Sequence, residues 1–334
     1  MSMTWIALQL VACAGVIGAA GAFLSASVDR LADAHGWGRG WAGLALLSTV
    51  TSLPELASGI SSVTLVDAPN LAIGDALGSC AFNLVFLAVV DLLQRHQPMY
   101  REASTAHLLS AGFGVVMLGF VSLSLVIGRQ VPSLLHVGVY SPMLLVLYLL
   151  ALRSVFGHER ALREALPAPG GGPTAVRREW WRFGLAAALV VAAGTWLPAL
   201  VDGLAQATGL SRSFAGAVFM ALATSLPEMA VTLAALRLGA LDLAIANLLG
   251  SNLFNVTILA VDDLFYTRGP LLAAAAPQQA ASASAALLMT GLVIVGLVMR
   301  PQGRILRVGS WVSLGLVAAY ALQAAVLFLG TSSP

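Results

Sequence analysis

The chain has no lysine, only two cysteines and little charge of any kind: Asp, Glu, Lys and Arg together make up 10% of its 334 residues. Cys13 and Cys80 both lie inside apolar runs, which excludes a disulfide framework and a zinc-type cysteine spacing. With so few charges, 59% apolar residues and a mean hydropathy of +0.89, a water-soluble fold is excluded. No globule of this length hides that much apolar surface, so the bilayer is its solvent. No His-Glu-x-x-His motif occurs, and no second mid-membrane aspartate opposes Asp75 as an intramembrane aspartyl protease would require. The chain is therefore expected not to be an enzyme, and neither a cofactor nor a nucleic-acid partner is expected.

What is present is ten apolar runs, near 5–28, 41–66, 70–93, 104–127, 132–153, 181–204, 214–238, 241–264, 279–299 and 308–329. Each is long enough to cross about 30 Å of hydrocarbon at 1.5 Å per residue. The longest stretch between them is 154–180, which leaves no room for a soluble domain. The first run lacks a basic flank and matches the sixth, so it belongs to the fold and is not a signal peptide. All 17 basic residues are arginines, and they are unevenly placed: 14 fall in odd-numbered loops, with Arg129, Arg212 and Arg268 in even-numbered ones. The positive-inside rule then puts 154–180 in the cytoplasm and both termini outside.

The chain also matches itself. At an offset of 173, residues 23–55 align with 196–228 without a gap, sharing Asp29/Asp202, Gly36/Gly209, Arg39/Arg212 and Gly43/Gly216. After a one-residue slip, Gly78 to Asp91 aligns with Gly250 to Asp263. The expected organisation is all-α and integral to the membrane. It comprises a first five-helix repeat (1–153), a flexible linker (154–180, with Pro167 to Pro173 at its heart) and a second five-helix repeat (181–334). Five crossings per unit turn the second half upside down, the inverted repeat of many secondary transporters.

The strongest match is Thr51-Ser52-Leu53-Pro54-Glu55, repeated as Thr224-Ser225-Leu226-Pro227-Glu228. Pro54 and Pro227 supply no N–H to the carbonyls of Val50 and Ala223, so the second and seventh helices are expected to be broken there. Broken helices are tolerated where they line a cavity, and half-helix C-terminal ends turn carbonyl oxygens toward a cation. Glu55 and Glu228 each cost roughly 3 kcal/mol at the bilayer centre. No arginine lies mid-run to pair with either, and calcium seeks six to eight oxygens, carboxylates among them. Asp75, Ser79 and Asn83 share one face of the third helix, as Asn247, Ser251 and Asn255 do in the eighth. Ser52, Ser225, Thr51, Thr224, Ser79 and Ser251 are expected as neutral oxygen ligands, with Asn83 and Asn255 contacting the ion. Gly78 and Gly250 let crossing backbones approach. Three roles stay open for Asp75: a third carboxylate ligand, a proton carrier, or a residue at the membrane edge in contact with water. Asp91, Asp262 and Asp263 are expected to be solvated at helix ends, and Pro142 to kink the fifth helix.

At these doubled motifs the chain resembles the sodium/calcium exchanger (cation/calcium antiporter) family, prokaryotic type. The resemblance covers about 41–93 and 214–264. It implies alternating access in which sodium drives calcium out of the cell. It further implies that calcium is bound by Glu55 and Glu228 with the carbonyls of Thr51 and Thr224. Sodium sites would be lined by Ser52, Ser225, Ser79 and Ser251 with the carbonyls of Ser48 and Ala221, and Asn83 and Asn255 would complete a middle site. The chain departs from some prokaryotic members in carrying Asn255 where they have aspartate, and Asp75 where asparagine is usual. The large calcium-sensing loop of animal members is absent. The reading is a monomeric Na+/Ca2+ antiporter of the inner membrane whose partners are lipid and inorganic cations. An H+-coupled calcium exchanger is the alternative, and a non-transporting scaffold or sensor a third reading.

Overall fold

The computed structural model describes residues 3–35, 47–94, 97–130, 132–162, 173–301, 303, 305 and 309–330. In hydrocarbon each backbone N–H and C=O must be satisfied within its own segment, so the apolar runs become helices. They are α1 (Met3–His35), α2 (Leu53–Thr64), α3 (Pro69–Leu93), α4 (His107–Ile127), α5 (Tyr140–Leu162), α6 (Pro173–Thr208), α7 (Leu226–Arg237), α8 (Leu241–Phe265), α9 (Gln279–Met299) and α10 (Trp311–Leu329). Among the described residues seven helices are long and apolar enough to cross a membrane: α1, α3, α4, α6, α8, α9 and α10. An eighth span forms if α7 is joined to the half-helix Arg212–Thr224 before it, the two bent by 45°. α2 is likewise preceded by helical residues 47–51, with a turn at Ser52. The earlier part of that expected helix, 41–46, lies outside the described residues, as do Gly36, Arg39 and Gly43.

Burial sorts the helices. In α3 and α8, 72% and 78% of the apolar window is buried, against 22% in α1 and 28% in α10. Two posts therefore stand at the centre, and the outer helices turn side chains such as Leu8, Val11, Leu322 and Leu329 outward, toward lipid. α3 packs on α8, α2, α9 and α10, while α8 packs on α3, α7, α4 and α5. α1 lies along α6; α1 also touches α7, and α6 touches α2. Every pairing has its counterpart five helices further on.

Close approach depends on glycine at a few points. A Cβ on Gly78 would stand 2.5 Å from the Ala217 carbonyl oxygen, and one on Gly216 would stand 2.7 Å from the Leu71 carbonyl oxygen, so α3 and the half-helix meet backbone to backbone. Gly250 meets only the Ser48 side chain, at 3.2 Å. The prolines of the two breaks are seated in the same way. Pro54 rests on Gly194 of α6, where a Cβ would lie 2.9 Å from the Pro54 carbonyl oxygen; Pro227 rests on Gly21 of α1, where a Cβ would lie 2.6 Å from the Pro227 ring carbon Cβ.

Two expectations are corrected. Asp91, Asp262 and Asp263 are fully buried, not solvated. The segments that follow and face these helix ends fold back over them. Asp91 accepts from Met99 N–H (2.7 Å), Ser310 N–H (2.7 Å) and Ser313 Oγ (2.6 Å). Asp263 accepts from Leu271 N–H (2.6 Å), Gly138 N–H (2.8 Å) and Tyr140 Oη (2.6 Å). Pro142 falls in the first turn of α5, where its missing N–H has no helical partner to lose, so it does not kink the helix. Within the expected linker 154–180, α5 continues to Leu162 and α6 begins at Pro173. The stretch from Pro167 to Gly172 lies outside the described residues.

Candidate ion-binding site

The site is built where the two breaks meet the two posts. Ser52 and Ser225 hold nearly the same backbone conformation (φ −88, ψ 15 and φ −80, ψ 7), each ending one half-helix and capping the next. Pro54 and Pro227 occupy the first turns of α2 and α7, where no N–H is required. The seventh-helix break is further loosened by a π-helical stretch, Gly216–Met220, an irregularity common at functional sites.

The glutamates are held by the opposite half of the chain. Ser52 Oγ donates to Glu228 Oε1 at 2.8 Å, and Ser225 Oγ donates to Glu55 Oε1 at 3.2 Å. Each glutamate thus stands beside the serine at the opposite break. Both are buried, and among the described residues no arginine pairs with either; the arginine partners there are Glu179, Asp202 and Asp67.

The hydroxyls form matched bridges between the halves. Thr51 Oγ1 donates to the Ser48 carbonyl at 3.1 Å and lies 3.3 Å from Ser251 Oγ. Thr224 Oγ1 lies 3.3 Å from the Ala221 carbonyl and 3.5 Å from Ser79 Oγ. The carbonyls of Ser48 and Ala221 also accept the N–H groups of Ser52 (3.2 Å) and Ser225 (3.0 Å). Asp75 accepts from Ser58 Oγ and from Thr224 Oγ1, the latter at 3.1 Å. It is buried, which removes the membrane-edge role in contact with water. Its counterpart Asn247 instead donates to the Glu228 carbonyl and to Thr232 Oγ1, both at 3.3 Å.

Buried polar atoms are paired almost without exception in folded proteins, so orphans need a reason. Several lie on the named residues: Glu55 Oε2, Glu228 Oε2, Asn83 Oδ1, Asn247 Oδ1 and both amide atoms of Asn255. The five oxygens among them are free to meet something other than protein. No three of the described His, Cys, Asp and Glu side chains converge as a metal cluster, so any ion held here also needs hydroxyl, amide and carbonyl oxygens.

One member was missed from sequence. Asn252 accepts from Asn83 Nδ2 through its Oδ1 (3.1 Å) and donates to the Cys80 carbonyl (3.1 Å), stitching α3 to α8 beside the site. Its signal was an amide in the second copy of the motif where the first copy has Cys80.

Comparison with known proteins decides the family. A family model described as sodium/calcium exchanger protein matches residues 5–156 and 178–329. The chain belongs to the sodium/calcium exchanger family. It is a multi-pass membrane antiporter that handles inorganic cations in lipid, a secondary transporter and not an enzyme. Among its relatives, the inner membrane protein YrbG of Escherichia coli (strain K12) is 28% identical over 245 residues, covering 68% of this chain and 72% of that one. An uncharacterized membrane protein of Methanocaldococcus jannaschii is 28% identical over 294 residues, 86% of each. The sodium-calcium exchanger NCX_Mj, soaked with 2.5 mM Na+ and 0.1 mM Ca2+, superposes with a TM-score of 0.62 at 22% identity, covering 97% of this chain and 99% of that one. That likeness is one of fold.

Proposed function

We propose that this exchanger carries calcium against sodium by alternating access, with calcium held between Glu55 and Glu228. The observation that carries the reading is the crossed pairing: two buried acids with no basic partner, each steadied by a serine of the opposite half and each with one oxygen unpartnered. Two carboxylates neutralise a divalent cation, and the Thr51 and Thr224 carbonyls extend the oxygen set toward what calcium requires. Ser52, Ser225, Ser79 and Ser251 with the Ser48 and Ala221 carbonyls line flanking sodium sites. Those two carbonyls each accept an N–H and a threonine hydroxyl, and the Thr51 and Thr224 hydroxyls can turn away to other acceptors when an ion takes their place. Asn83 and Asn255 complete a middle position.

The architecture for this is two inverted five-helix repeats, 1–153 and 181–334, ten crossings in all with the second and seventh broken. The exchanged helix pairings and the mirrored proline seats support it. The protein sits in the inner membrane as a monomer, with both termini outside and 154–180 in the cytoplasm.

A second reading, proton-driven calcium exchange, is favoured by one observation. The middle position is the amide Asn255, while the extra carboxylate Asp75 is buried and bonded to Thr224 at the rim. Calcium-45 flux in proteoliposomes separates the readings. Uptake driven by an imposed sodium gradient is expected, and uptake driven by a pH gradient without sodium would favour the second. Glu55→Gln and Glu228→Gln are each expected to abolish flux in a folded protein; wild-type transport in either would sink both readings.

A further inference from the structure

One acid takes no part in the site described above. Asp262 lies on α8 near its end, fully buried, and neither of its carboxyl oxygens has a hydrogen-bond partner. Its side chain presses on α2 at Gly59, where an added Cβ would overlap both carboxyl oxygens, so only glycine leaves it room. Gly59 is four residues past Glu55 and thus on the same face of α2. Ser62, one turn further along, is also buried with an unpartnered hydroxyl, and Thr64 beyond it is exposed. Neither half of this contact is repeated: Val90 stands where the first repeat would carry Asp262, and Thr232 where the second would carry Gly59. The feature is one-sided.

The groups around Asp262 leave it without a counter-charge. The charges that act on it are those of Asp75, from α3, and of its neighbour Asp263. Other titratable groups on the packed helices are engaged elsewhere. Tyr140 on α5 donates to Asp263, Tyr148 meets Thr49, His107 on α4 meets Asp242, and Glu228 on α7 takes Ser52. Arg153 and Arg237 are exposed, and Arg268 pairs with Asp67. An ionised carboxylate with no hydrogen bond and no cation in such a place is far more costly than a neutral group left unpaired. Asp75 links this acid to the ion site, since its charge acts on both Asp262 and Glu55.

We infer that Asp262 is a proton-binding site coupled to the ion site: it keeps a proton while the space between Glu55 and Glu228 is empty, and releases it as a cation settles there. The cation offsets the negative charge of Asp75, which faces both the site and Asp262, and this makes the ionised form of Asp262 accessible. The O–H bond then breaks to leave the carboxylate, and the proton leaves past Ser62 toward the exposed end of α2. By linkage the reverse holds: a proton on Asp262 weakens cation binding.

The inference rests on the ion-binding reading, so its test has two arms. The protein in lipid vesicles is compared with Asp262→Asn and with Asp262→Val, the latter carrying the residue that the first half has at the matching position. Infrared spectroscopy of the calcium-free protein should show a protonated carboxyl band in the wild type that both variants lose. Calcium added in weak buffer with a pH indicator should release about one proton fewer per calcium bound from the variants. A band that persists in both variants, or an unchanged proton count, overturns the inference. If the wild type bound no calcium, the exchange reading would fail, while the infrared band would still decide whether Asp262 holds a proton.

Discussion

The hydroxyl of Ser52 reaches across the molecule to Glu228 at 2.8 Å, and Ser225 returns the bond to Glu55 at 3.2 Å. Each acid is therefore positioned by the half of the chain to which it does not belong. A hydrogen bond to a charged group contributes about 1.5–3 kcal/mol. Ser52→Ala should weaken calcium binding by roughly tenfold or more, and a double-mutant cycle should couple it to Glu228→Gln and not to Glu55→Gln. Isothermal titration of the six proteins of the two cycles reads this directly; equal coupling to both glutamates would contradict the crossed arrangement.

Asp75 should tune the site without being indispensable. Its charge acts on Glu55 while its own oxygens are taken by Ser58 and Thr224. Asp75→Asn makes the two halves alike at this position and removes one negative charge near the ion, which should lower apparent calcium affinity by about tenfold or more. Flux at saturating calcium should survive. Complete loss of transport would make Asp75 a direct ligand.

Gly78 and Gly250 occupy matched positions but bear different loads. Ala217 backbone fills the space beside Gly78, whereas Gly250 faces only the Ser48 side chain. Gly78→Ala should lower stability by about 1–3 kcal/mol through overpacking, and Gly250→Ala by clearly less. Thermal unfolding in detergent distinguishes them.

The buried clasps predict a comparable effect away from the site. Asp263→Asn leaves Gly138, Tyr140 and Leu271 without their charged acceptor, and Asp91→Asn does the same to Met99, Ser310 and Ser313. Each should lose about 3 kcal/mol of stability while calcium affinity changes little. A loss of affinity with unchanged melting would reverse the assignment.

Topology can be checked with single cysteines, because removing Cys13 and Cys80 clears the background. A thiol at Arg177 should be shielded from an impermeant reagent in intact cells, and one at Gly330 should react.

The candidate site was legible in sequence because its residues come in pairs. A proline and a glutamate in mid-membrane are costly, and finding Pro54-Glu55 repeated as Pro227-Glu228 marks both breaks without any structure. Pairing also explains what could not be read. Asp262 and Gly59 occur once each, so neither carries a repeat signal, and their contact joins α8 to α2 across some 200 residues of chain. Asp91 and Asp263 looked solvated because a helix end is ordinarily wet. The segments that cover them, around Ser310 and Gly138, are short and irregular, and nothing in their composition says where they fold. Asn252 was hidden in plain view beside Ser251, since amides near a binding motif give no hint of which partner they take. α6 outran its expected start because the charged residues before it continue the helix beyond the hydrocarbon boundary.

Pro54 beds on Gly194 of α6 and Pro227 on Gly21 of α1, which ties the α1–α6 pair to the two breaks at the centre. Both notches are buried, so a bulkier side chain at Gly21 or Gly194 would have to push a long helix away from the break it supports.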